Sequence, residues 1–194
     1  MTHPKTSSGQ DKNPIHFFMP SFGRHIATFL LLVCFAVTLS AQTINKLRPS
    51  ISNIANKLRK ENEVHFGYPV GFAGRPETNN KYYKLYLKLK DKATDNELIQ
   101  LTKDTSECIV VYSFDILWQR QNSSLKNIFL QHQNDTTLFW TAGGCTGMLD
   151  RINWFMLRRL RPNQNNGNKN SLTKEEYDLY CDKFSKADRL FTCN

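Results

Sequence analysis

Beyond residue 50, apolar residues recur at helical spacing through most of the chain. Ile51, Ile54, Ala55 and Leu58 fall at i, i+3, i+4 and i+7 with Lys57, Arg59 and Lys60 on other faces, which predicts an amphipathic helix starting at Ser50. From His65 to Asn80, Gly67, Pro69, Gly71, Gly74 and Pro76 interrupt any period, and this stretch (65–80) reads as a Gly/Pro-rich loop. Tyr82 to Lys90 fits two periods. Tyr83, Leu85, Leu87 and Leu89 alternate with lysines as in a strand, whereas Tyr82, Leu85, Tyr86 and Leu89 share one helical face, and we read a helix. Thr94-Asp95-Asn96-Glu97 is a capping box, in which the threonine hydroxyl and the glutamate carboxylate each satisfy a free backbone N–H at a helix start. Leu98 and Leu101 supply that helix's apolar side.

The next element, with Ile109, Val110, Tyr112, Phe114, Ile116, Leu117 and Trp118, is apolar nearly all round and predicts a buried central helix. Ser123 and Ser124 are caps for a helix carrying Leu125, Ile128 and Phe129. Asp135-Thr136 then precede Leu138-Phe139-Trp140, a further expected helix that stops at Gly143-Gly144. Two helix pairs therefore stand in tandem, and Asp-Thr recurs at Asp104 and Asp135, each time ahead of an apolar element. Leu149 to Leu160 reads as a basic amphipathic helix, with Ile152, Phe155 and Met156 on the apolar side and Arg151, Arg158 and Arg159 elsewhere. Residues 163–170 are too polar to pack and form a linker. A second capping box, Thr173 with Glu176, opens the last helix, with Leu172 and Tyr177 as its hydrophobic staple.

The N-terminal pattern is different in kind. Ile26 to Leu39 carries no charge over 14 residues, behind a flank in which Lys5, Lys12 and Arg24 outweigh Asp11. That length is a signal-peptide core and falls short of a full bilayer span. Leu39-Ser40-Ala41 before Gln42 places a small residue next to the cut, although Leu39 stands where a second small residue is expected. The expectation is a cleaved export signal over 1–41. If the segment is retained, Ala27 to Thr43 becomes a single-pass anchor with its basic flank inside. The remaining chain, 42–194, is one domain on either route, periplasmic or otherwise extracytoplasmic.

Charge and cysteine content sharpen this picture. The 26 basic and 17 acidic residues give +9, and removing the leader's three basic residues and one acid leaves +7, an attraction to anionic surfaces. Cys108, Cys145, Cys181 and Cys193 follow the leader, an even number open to disulfide pairing in an oxidising compartment, with the pairing unspecified.

The segment Ala93 to Cys145, about a quarter of the chain, resembles the HEAT-like α-helical repeats. The words that carry the resemblance are A-T-D-N-E-L-I-Q-L-T followed by C-I-V-V-Y-S-F-D-I-L, a short first helix, an acidic turn and a long inner helix. It implies an all-α domain whose helix pairs present a surface to other proteins. The arginine often found early in the inner helix of such repeats falls near Val110 here, and two pairs are fewer than a solenoid needs without caps at Ser50 and Thr173.

Catalytic signatures are absent: the chain has no H-E-x-x-H, G-x-S-x-G, G-x-x-x-x-G-K or G-x-G-x-x-G. His65 and His132, the two histidines beyond the leader, lie in distant segments, so no metal or other cofactor is expected. Gly143-Gly144-Cys145-Thr146-Gly147 leaves room around a cysteine and is the one segment with nucleophile character, for a cysteine-dependent hydrolase with His65 or His132 as base. The plainer reading is a helix stop. Arg151, Arg158 and Arg159 with Trp154 and Phe155 form a candidate membrane-surface helix, against the plainer reading of a solvated arginine face over a core side. Nucleic acid is set aside, because an exported chain does not ordinarily meet it. The resulting expectation is an exported or membrane-anchored, non-catalytic helical module that binds another protein. Its protein recovered from expressing cells should begin at Gln42. A start at Met1, with a reporter fused behind residue 60 staying in the cytosol, would remove the export reading.

Overall fold

The computed structural model describes residues 47–70, 78–144, 147–162 and 171–187. The leader, the Asn-rich linker, Cys145 and Cys193 lie outside the described residues. All described elements belong to the unit that begins at Leu47. They are α1 (Pro49–Leu58), β1 (Glu63–Val70), α2 (Lys81–Lys92), α3 (Asp95–Leu101), α4 (Glu107–Gln119), α5 (Leu125–His132), β2 (Leu138–Gly144), β3 (Met148–Arg151), α6 (Ile152–Arg159) and α7 (Lys174–Ala187).

The expected all-α, HEAT-like architecture is corrected by a three-stranded mixed sheet of order β1-β2-β3. β1 and β2 run parallel, with Val64 opposite Thr141. β2 and β3 form an antiparallel pair, with Trp140 opposite Leu149. Two segments read as helices are thereby strands. Leu138-Phe139-Trp140-Thr141 is aromatic and β-branched, and its exposure alternates: Leu138 and Trp140 face out while Phe139 and Thr141 are buried. That period of two belongs to a half-buried strand. The basic helix begins at Ile152 and not at Leu149, because Met148–Arg151 pairs with β2. A repeat of helix pairs is thus interrupted where its second pair should close.

The expected loop at 65–80 is also corrected, since His65 to Val70 lies within β1. Gly67 sits at φ +76°, in the stretch where the β1–β2 register shifts, and a Cβ there would run into the Tyr83 ring. Here glycine lets the strand bulge and does not end it. Pro69 is tolerated because β1 is an edge strand.

The core is built around α4. From Cys108 to Leu117 every residue is buried, as its nearly continuous apolar pattern required. The Tyr112 hydroxyl accepts the backbone N–H of His65 at 2.6 Å, so a helix side chain satisfies a strand donor. Arg120, just past α4, donates to the carbonyls of Lys90 and Ala93 and to Asp95, tying the end of α2 to the start of α3.

Both sequence capping boxes are present. Thr173 and Glu176 exchange bonds at the head of α7. At α3, the Glu97 carboxylate accepts the Thr94 N–H at 2.9 Å while Thr94 Oγ1 accepts the Glu97 N–H at 3.3 Å. Glu97 also takes Arg48 Nε at 2.8 Å and Nη2 at 2.7 Å, which joins the start of α1 to α3. The Arg48 hydrogen bonds, with those from Thr94, hold the carboxyl down at about 2, below the usual 4.5. A depressed folded-state value contributes stability above pH 4.5 that is lost as pH falls towards 2. Glu97→Gln should therefore lower unfolding free energy at neutral pH by about 1–2 kcal/mol. It should also flatten the acid limb of urea-unfolding stability in that window, and an unchanged acid limb would contradict the role of Glu97.

Candidate ligand-binding cleft

Five elements converge on a cavity of about 290 Å³. β1 supplies Phe66 and Tyr68, β2 Thr141, β3 Met148 and Asp150, α4 Trp118, and α6 Phe155, Arg158 and Arg159. The convergence follows from the topology. The β2–β3 hairpin runs directly into α6, so the last turn of that helix lies over the inner face of the sheet, beside the C-terminal end of α4.

Phe155 is the hub of the aromatic wall. It stacks on Phe66 with centroids 6.0 Å apart and meets Phe139 and Phe114 edge-on. Above it the Arg159 guanidinium lies 5.1 Å from the Phe155 centroid, 4.5 Å from Trp118 and 5.9 Å from Phe66. Such cation–π contacts suit arginine, whose delocalised head is more weakly hydrated than an ammonium.

Arg159 is held from behind by Asp115, an ion pair of 2.7 Å in which the carboxylate side is 1% exposed. The other oxygen of Asp115 accepts the Tyr86 hydroxyl at 2.8 Å and the Gln119 amide at 2.6 Å. Burial and the Asp115 charge push the Tyr86 phenol well above its ordinary range, so it remains a donor. This network fixes Arg159 at the cleft with its charge compensated below.

Arg158 has a different partner. It hydrogen-bonds the Asp150 carboxylate, whose second oxygen accepts the Arg151 backbone N–H at 2.8 Å. Burial raises the Asp150 carboxyl above its ordinary value against the opposing pull of Arg158. The cleft thus holds a desolvated carboxyl beside two guanidiniums on an aromatic wall.

The residues proposed from sequence are distributed unevenly. Arg158 and Arg159 line the cleft, whereas Arg151 turns away to the Thr136 carbonyl at 2.8 Å. Trp154 and Phe155 are 1% and 7% exposed, core residues and not membrane anchors, because the side of α6 that carries them packs on α4, α7 and the sheet. Cys108 is free and buried, its thiol pushed up to about 12 by burial, and its Sγ donates to the Glu61 carbonyl, so it leaves the disulfide set. Cys181 is disulfide-bonded. His132 is engaged at both ring nitrogens, by Asp135 at 3.0 Å and the Thr102 carbonyl at 2.8 Å. His65 stacks on Tyr82 beside Asn80.

Phe66, Tyr68, Thr141, Met148 and Asp150 were not singled out by pattern, because strand pairing brings them together across the chain, and Trp118 stood out only as part of the apolar central helix. Asp115 did carry a signal: an acid inside an otherwise apolar helix must find a buried cation or donors. Among the described residues, no group of three or more His, Cys, Asp or Glu side chains is placed to hold a metal ion. No protein-family model matches the chain, and neither curated proteins nor solved structures give a match. Phe155→Ala should cost about 3–5 kcal/mol in chemical denaturation, through lost contacts and the cavity left behind. A loss below about 1 kcal/mol would mean that Phe155 does not hold the cleft wall.

Proposed function

We propose that this chain is an exported or membrane-tethered, non-catalytic binding domain that engages another protein through the cleft between the sheet and the end of α6. The observation that carries this reading is the cleft itself, a concave aromatic surface with two adjacent arginines held by separate acids. Aromatic residues and arginine are the side chains most often responsible for binding energy at protein interfaces.

Exposed apolar residues at the cleft mouth support the same reading, with Met148 60% and Tyr68 42% exposed. The apolar leader segment and the disulfide at Cys181 support the extracytoplasmic location. The sequence carries none of the catalytic signatures sought in it, which supports binding over turnover.

Site-directed crosslinking tests the proposal. A benzophenone amino acid at Met148 should give a discrete heavier adduct in cells, whereas the same probe at Leu179 on α7, which is 65% exposed, should not. Arg158→Glu should abolish the Met148 adduct. Equal adducts at both positions, or none at Met148, would contradict it.

A further inference from the structure

Resting on the cleft as the binding site, we propose that the group it recognises is a singly charged carboxylate on an apolar or aromatic body, seated on Arg159 and taking the place of Asp150 on Arg158. Three observations converge on it. Asp150 already shows where a carboxylate sits in this cleft: one oxygen is fixed by the Arg151 N–H and the other bonds Arg158. The Arg158 side chain is 42% exposed, so its guanidinium is free to turn from Asp150 to an incoming anion without opening the core. Arg159 lies over Trp118, 4.5 Å from the ring centroid, and spends Nη2 on buried Asp115, so the guanidinium stands at the cleft wall as a fixed cation for a carboxylate.

Charge balance selects among anions. Arg158 and Arg159 are offset by Asp150 and Asp115. A monocarboxylate carries one negative charge, the same charge that Asp150 places on Arg158 and whose position it takes. A phosphate dianion would bring a second negative charge beside Asp150 and Asp115, with no further cation in the cleft lining to meet it. Size and lining agree, since about 290 Å³ walled by Phe66, Tyr68, Met148 and Phe155 suits one apolar side chain or one small ring. The same chemistry is offered by a free aryl-alkyl acid and by the C-terminal residue of a polypeptide.

The test is titration calorimetry on the purified full-length chain with four probes: an N-acetyl tetrapeptide ending in Phe, the same peptide as its C-terminal amide, 3-phenylpropionate, and inorganic phosphate. The acid peptide should bind at least about tenfold more tightly than its amide, with phosphate weaker than either carboxylate. Asp150→Asn should tighten the acid peptide several-fold by releasing Arg158, and Arg158→Gln should weaken it about tenfold with the circular dichroism spectrum unchanged. Binding of 3-phenylpropionate without the acid peptide would support the carboxylate and overturn the protein partner. Equal binding of acid and amide would overturn the carboxylate and leave the protein partner standing. Silence from all four probes, tighter binding of phosphate, or an affinity unmoved by Asp150→Asn would overturn the carboxylate exchange.

Discussion

The fold turns on one buried ion pair, Asp115 with Arg159. A carboxylate 1% exposed in the middle of an apolar helix is tolerable only if its charge is met and its lone pairs are filled. Arg159 meets the charge from α6 at Oδ1, while the Tyr86 hydroxyl from α2 and the Gln119 amide from α4 itself hydrogen-bond Oδ2. Meeting that demand brings the end of α6 to α4. Because β3 runs without a break into α6, it also fixes where the β2–β3 hairpin lies. The cleft is the space left between the hairpin, α4 and the guanidinium that Asp115 holds.

The two arginines at the end of α6 therefore have unequal roles. Arg159 is part of the architecture, set among aromatic rings with its charge answered by Asp115. Arg158 is bound to Asp150 closer to solvent, on the edge strand, and this pair exchanges partners without disturbing the core. A rigid donor beside a releasable one is an economical way to recognise an anion: the first positions it and the second adapts.

Local chemistry was legible along the chain wherever it was decided by neighbours in sequence. Both capping boxes, the all-round apolar helix α4 and the helical reading of Tyr82 to Lys90 rest on residues three or four apart, and they form as their patterns require. The sheet was not legible, because β1 pairs with β2 across the intervening helices and its glycine and proline read as breakers when taken alone. Val64, Phe66 and Tyr68 carry β-favouring side chains, yet Gly67 among them and Pro69 just after acquire meaning only at an edge strand with a bulge. The same limit hid the cleft. Its lining spans residues 66 to 159, and of its members only Phe155, Arg158 and Arg159 stood out as candidate site residues, through the basic helix that places them.

A double-mutant cycle on Asp115→Asn and Arg159→Gln, read by urea unfolding, tests the central pairing most directly. If Asp115 and Arg159 depend on each other as described, the double variant is less destabilised than the two single losses together by at least about 1 kcal/mol. Strict additivity of the two losses would contradict the account, since it would mean that the buried acid and the cleft arginine are held independently.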